Sequence, residues 1–269
     1  MNLLIAFLFM FWGSSLLAQS HHPSLVVFGD SFSDNGGTDG FGFNRYSNGD
    51  VWSDYLSRNL ALTSTLNMAH GGAQTSEANY HGLDWSGLQW QVEQFIQLHR
   101  PLNQDIWAIF FIGYNDFFTA IETPHLEETR SLVPVKQGIA NYQKAISRIM
   151  DEGIKKITVI NIPSARFMPG FSAANDYGGH LEYMELLINE YNRAMSHMVG
   201  GQPGLNLVDA HSAFEMFVPQ FSNISQPWNG SYERASNLSY LWWDEWHPMT
   251  DFHRMLAQLI ERSHKVRAY

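Results

Sequence analysis

Apolar residues fall along this chain in two rhythms. Short, mostly apolar runs stand at Val26-Val27-Phe28, Thr65 to Ala69, Asp105 to Ile112, Lys156 to Pro163 and Leu205 to Val208. Ile106 to Ile112 is unbroken, the pattern of a strand covered on both faces. Between the runs the apolar residues recur at helical spacing. Val51 to Leu60 puts Trp52, Tyr55 and Leu56 on one side. Ser86 to His99 aligns Leu88, Val92, Phe95, Ile96 and Leu98 before a stop at Pro101. Val135 to Met150 closes at Asp151-Glu152-Gly153. Residues 181–199 carry Leu187, Tyr191, Ala194 and Met198 in register, and Thr250 to His264 predicts a final helix. Strands alternating with helices predict right-handed crossovers and a mostly parallel sheet of about five strands between two helical layers, a three-layer α/β/α domain. With neither repeat nor linker, residues 21–269 read as a single domain.

Residues 1–20 follow a different pattern. Leu3 to Trp12 is an unbroken apolar run, and small and polar residues follow it to Ser20. The run is short of the ~20 apolar residues a membrane span needs, and it predicts a secretory signal peptide cleaved near Ala18 or Ser20. No Lys or Arg precedes it. The expected location is therefore extracellular, without stable membrane insertion.

Composition narrows the picture. The 269 residues are 45% hydrophobic, enough for a sizeable core, and they include no cysteine, which excludes disulfides, thiolate metal sites and a Cys nucleophile. A formal net charge of -10 argues against a nucleic-acid partner, whose phosphates call for a basic patch. Asn-x-Ser/Thr triplets at Asn223, Asn229 and Asn237 predict an exposed, glycosylated segment if the host is a eukaryote.

The chemistry collects at strand ends, where open parallel sheets bind ligands. The first three runs lead into Gly29-Asp30-Ser31, His70-Gly71-Gly72 and Gly113-Tyr114-Asn115-Asp116. One edge thus gathers a hydroxyl, bare backbone N–H groups and a carboxamide. A serine hydroxyl needs a base to take its proton, and the base needs an acid to fix its tautomer. Asp244 and His247, three residues apart, can supply both within one turn. The expected site is Ser31 as nucleophile with His247 and Asp244 as partners, and an oxyanion held by the N–H groups of Ser31 and Gly72 and the Asn115 amide. Taken singly, each residue also has another reading: a serine that caps a turn, a glycine that permits one, an asparagine that caps a loop, and for Asp244 and His247 an exposed ion pair or two metal ligands. Asp30 reads as structural.

Four segments together resemble the sequence blocks of the GDSL, or SGNH, hydrolases. They are Gly29-Asp30-Ser31 with Asp34-Asn35-Gly36, Asn67 through Gly72-Ala73, Gly113-x-Asn115-Asp116, and Asp244-x-x-His247-Pro248. The resemblance implies a flavodoxin-like α/β/α fold and a serine esterase that needs neither metal nor other cofactor. It gives Ser31 the nucleophile's role, Gly72 and Asn115 those of oxyanion donors, and Asp244 and His247 the rest of the triad. Arg45-Tyr46-Ser47-Asn48-Gly49 with Trp52 is similar to a segment of lipase-like members and brings no chemical role with it. Phe32 stands where the name motif has Leu, and Met249 where Thr often follows His-Pro; both bear on pocket shape. The Gly-x-Ser-x-Gly elbow of the α/β-hydrolases is absent.

The reading is a secreted carboxylic ester hydrolase acting on acyl or acetyl esters of lipid or carbohydrate. Aromatics in Leu241 to Trp246 and Phe41 to Tyr46 could stack on sugars, line an acyl groove, or belong to the core. An acyltransferase on the same scaffold shares the covalent step, and a non-catalytic binding protein is a further alternative. A metal-dependent phosphoesterase lacks an evident ligand cluster.

Overall fold

The computed structural model describes residues 23–37, 42–228 and 238–267. The apolar leader, Phe41, Asn229 and Asn237 lie outside the described residues. Five strands form the central sheet: β1 (Leu25–Gly29), β2 (Thr65–Asn67), β3 (Trp107–Phe111), β4 (Lys156–Ile160) and β5 (Leu205–Val208). Their order is β2-β1-β3-β4-β5, and every pairing is parallel. Between and after them run α1 (Trp52–Asn59), α2 (Leu88–His99), α3 (Tyr114–Ile121), α4 (Pro124–Glu128), α5 (Val133–Asp151), α6 (Leu181–Val199), α7 (Ala210–Phe217) and α8 (Thr250–Arg267). A parallel two-stranded pair, β6 (Asn223–Pro227) with β7 (Tyr240–Trp242), precedes the last helix.

All residues of β1 and β3 are buried, so both faces of the sheet must be covered. Side chains on successive residues point to opposite faces. On one face Phe110 meets Tyr142 of α5 and Phe28 meets Phe95 of α2; on the other, Trp107 stacks on His264 of α8. Helices α2, α5 and α6 pack side by side in one layer, and α8 joins α1 and α7 in the other. This is the three-layer α/β/α architecture that the alternation of strands and helices predicts.

Local departures have physical causes. The run at Lys156 to Pro163 pairs only as far as Ile160, and the run at Thr65 to Ala69 only to Asn67. Leu98 is 58% exposed because it stands off the centre of the arc that Leu88, Val92, Phe95 and Ile96 bury. Helices α3, α4 and α7 and the β6–β7 pair have no counterpart in the sequence pattern.

Chain order reverses between β1 and β3, since the chain runs from β1 outward to β2 and then returns to β1's other side. That is the switch point at which doubly wound sheets open a crevice beyond the strand ends. Ser31, Gly72 and Asn115 follow β1, β2 and β3 respectively.

Candidate active site

The end of β1 is clamped before the serine is presented. Buried Gln91 of α2 accepts from the Gly29 N–H at 2.9 Å and donates to the Gly29 carbonyl at 2.8 Å. A Cβ on Gly29 would lie 2.7 Å from the Phe111 carbonyl oxygen, so only glycine fits so close to β3. The chain then turns tightly, with the N–H groups of Ser33 and Asp34 both donating to the Asp30 carbonyl at 2.9 and 3.0 Å. Ser31 rides on this turn, buried except for the face it turns to a cleft.

His247 arrives from the loop between β7 and α8. Trp243 N–H donates to the His247 carbonyl and Met249 N–H to the Leu241 carbonyl, each at 2.8 Å, which closes the loop on itself. Ser31 Oγ and His247 Nε2 are 2.9 Å apart. On the other side of the ring, Nδ1 is 2.7 Å from Asp244 Oδ2. An ionised carboxylate only accepts, so Nδ1 carries the hydrogen and Nε2 is left to accept the serine proton. Trp246 N–H, at 2.8 Å, and His247 N–H also donate to Asp244 Oδ1. Burial works to raise the Asp244 pKa, but the His247 hydrogen bond and charge and these two N–H groups outweigh it, leaving the carboxyl below its usual range.

Gly72 adopts φ +77°, and a Cβ there would lie 2.5 Å from Asn79 Oδ1, so backbone conformation and space both demand glycine. Asn115 stands in the first turn of α3 and spends one amide hydrogen on the Ala73 carbonyl at 3.0 Å, leaving the second free for the cleft. Among the described residues, the N–H groups of Ser31 and Gly72 donate to no protein acceptor. Four of the five residues singled out in the sequence thus line one cleft, and the fifth, Asp244, stands behind His247.

Several contributors carried no assigned role in the sequence. Fully buried Asp34 accepts from Gly36, Phe43 and Gly71 N–H groups at 2.9, 2.9 and 2.8 Å, binding the loop after β1 to the Gly71-Gly72 turn. Asn79 donates to the Gly71 carbonyl and accepts from His81 N–H. Asp116 accepts from both Thr75 N–H and Thr75 Oγ1, joining the β2 and β3 loops, and loss of water around its carboxyl pushes the pKa up to about 6. Burial likewise pushes Asp30 up to about 7, against the pull of the Phe32 N–H, His247 and the Gly113 N–H. The segment Arg45 to Gly49 also gains a physical role: Asn48 Oδ1 accepts from Thr250 N–H at 3.0 Å at the start of α8, and the Tyr46 ring lies 4.8 Å from the His247 ring. Trp52 donates from Nε1 to Ser33 Oγ at 3.0 Å, propping the turn under the serine.

Beside Ser31 opens a cleft of about 200 Å³, lined by Ser31, Phe32, Tyr46, Gly72, Tyr80, His81, Tyr114, Asn115, Phe118, Met168, Tyr177, Trp246 and His247. Phe32 lies flat on Tyr114 at 5.0 Å and builds part of the cleft wall. The aromatic stretches divide between uses: Trp246 and Tyr46 face the cleft, whereas Leu241, Trp242 and Trp243 are buried elsewhere and Phe43 is exposed beside Trp85.

A strand-end serine, a histidine within hydrogen-bond reach and a five-stranded parallel sheet in this order define a serine ester hydrolase of the α/β/α class. Residues 25–260 match the family model for GDSL-like lipases and acylhydrolases, and the chain belongs to that family. The thermolabile hemolysin of Vibrio parahaemolyticus is 27% identical over 96% of this chain and 68% of its own length. The phosphatidylcholine-sterol acyltransferase of Aeromonas hydrophila is 26% identical over 81% of this chain and 67% of its own length. Among solved structures, an acetylxylan esterase from Geobacillus stearothermophilus superposes with a TM-score of 0.58 at 16% identity, covering 89% of this chain and 92% of that one. At that identity the structural likeness speaks for the fold.

Proposed function

We propose that the protein hydrolyses carboxylic esters of aliphatic acyl chains through an acyl-enzyme on Ser31. The observation that carries this reading is the unbroken hydrogen-bond path from Asp244 through His247 to Ser31 Oγ. As Oγ attacks the ester carbonyl carbon, its proton passes to His247 Nε2, and Asp244 balances the imidazolium charge. The oxyanion receives hydrogen bonds from the Ser31 and Gly72 N–H groups and the free amide hydrogen of Asn115. Collapse breaks the C–O bond to the alcohol, which leaves with the proton from His247. Water then attacks the acyl carbon while His247 takes its proton, and release of the acid returns that proton to Ser31 Oγ.

A cleft of about 200 Å³ walled by aromatic rings exceeds what an acetyl group needs, which favours longer acyl chains. The test is mass spectrometry after exposure to a fluorophosphonate: one adduct is expected on Ser31, and Ser31→Ala should lose both adduct and turnover while keeping its circular-dichroism spectrum. Labelling at another residue, or turnover by the alanine variant, overturns the assignment. The similarity to an acyltransferase supports a second reading, in which an alcohol replaces water at the acyl-enzyme. Ester products formed with added glycerol, in place of free acid, would favour it. The leader supports export, which N-terminal sequencing of the mature protein in the medium would test.

A further inference from the structure

Two tyrosines from separate loops converge on one carboxylate at the rim of the cleft. Tyr80 donates to Glu122 Oε1 at 2.6 Å, and Tyr177 donates to the same oxygen. Tyr80 belongs to the loop after β2, Glu122 follows α3, and Tyr177 lies in the connection before α6. Both tyrosine rings line the cleft, whereas Glu122 stands outside it.

The three complete a belt around the site. It starts at His247, whose neighbour Trp246 packs its indole 5.2 Å from the Tyr177 ring. From Tyr177 it crosses Glu122 to Tyr80, whose N–H donates to the Gly72 carbonyl at 2.8 Å. At the Trp246 end the indole packs directly on Gly170, where a Cβ would lie 2.0 Å from the ring. Between the two tyrosine side chains the belt is closed by the Tyr80–Glu122–Tyr177 clasp. Burial and the Glu122 hydrogen bond hold the Tyr80 pKa above its ordinary value, so the hydroxyl remains a donor across the working pH range.

Resting on the reading of Ser31 as an acyl-ester nucleophile, we propose that this clasp sets the acyl-chain limit of the cleft. The cleft is finite and Tyr80 and Tyr177 stand in its lining, so a chain lengthened from Ser31 reaches the clasp after a limited number of carbons. Up to that length each added methylene should raise kcat/KM about fourfold, the equivalent of about 0.8 kcal/mol per buried CH₂. A longer chain meets the two phenol rings, which the shared Glu122 oxygen behind them ties together. It must push the two rings apart against the clasp, or bend into water with its apolar surface exposed.

The experiment is a kcat/KM series on p-nitrophenyl esters from two to sixteen carbons, for the full chain and for Tyr177→Ala, Glu122→Ala and the double variant Tyr80→Phe with Tyr177→Phe. The native protein should climb over the short chains and then level or fall before twelve carbons. In the variants the ratio of twelve-carbon to six-carbon activity should rise at least tenfold. The double variant keeps both rings and removes only the hydroxyls, so it serves if Tyr177→Ala fails to fold. Fluorophosphonate labelling of Ser31 runs in parallel. An unchanged ratio with Ser31 still labelled overturns the clasp alone, and so does a native profile that keeps climbing past twelve carbons. Failure to label Ser31 in the native protein overturns the nucleophile instead.

Discussion

Asn115 spends one amide hydrogen on the Ala73 carbonyl, and that bond aims the other into the cleft. Replacing it with alanine removes one of three proposed oxyanion donors, and kcat should fall about 10²- to 10³-fold with KM little changed. Steady-state kinetics on a single ester checks this. A loss confined to KM would mean that Asn115 binds the ground state only. Asp244→Asn should lower kcat strongly too, since a carboxamide can donate to Nδ1 and favour the wrong tautomer. These side chains were legible because nucleophilic catalysis needs particular residue types at particular strand ends. Asp34 stood in one of the four blocks without an assigned role, and Asn79 carried no signal. Their work is to satisfy N–H and carbonyl groups of other loops, and nothing near them in sequence announces which loop will arrive.

Strands and long helices were legible for a different reason: their burial repeats with the element's own period. β3 and α6 emerge where their runs predict, because β3 is covered on both faces and α6 on one. Short elements escape that logic. α3 has eight residues and starts directly behind a glycine that reads as a loop break, and the β6–β7 pair is held by tertiary pairing without a period of its own. Two tests belong at this scale. Phe110→Ala, at a position with no exposed surface between Phe28 and Tyr142, should cost about 3–5 kcal/mol in urea unfolding. Gly170→Ala should displace Trp246 and cost about 1–3 kcal/mol of stability through overpacking. Because Trp246 adjoins His247, turnover should drop with it. Normal kinetics in that variant would mean that the indole moves independently of the catalytic loop.

Across the whole molecule, the buried acids impose a pH dependence on stability. The folded Asp30 carboxyl has its pKa raised from 3.8 to about 7, so the native state holds that proton more tightly than the unfolded chain does. The associated stability is present below about pH 4 and is lost as pH rises towards about 7. Asp116, raised to about 6, acts in the same direction. Asp30→Asn preserves an acceptor for the Phe32 N–H and removes the ionisation. Its melting temperature relative to the native protein should therefore increase between pH 4 and pH 8. A difference that stays flat across that range would show that Asp30 titrates alike in both states.

Helices α1 and α8 lie side by side, and Tyr55 reaches Thr250 at 2.9 Å while Asn59 reaches Glu261 at 3.3 Å. Ser31 and His247 are 216 positions apart in the chain, and they meet only once the segments that carry them have folded together. On the proposed mechanism, then, an emerging polypeptide carries its attacking hydroxyl from the outset but stays chemically silent until the α8 end has docked. Hydrolysis begins only when the fold has closed, so the molecule is harmless to surrounding esters while it is being made.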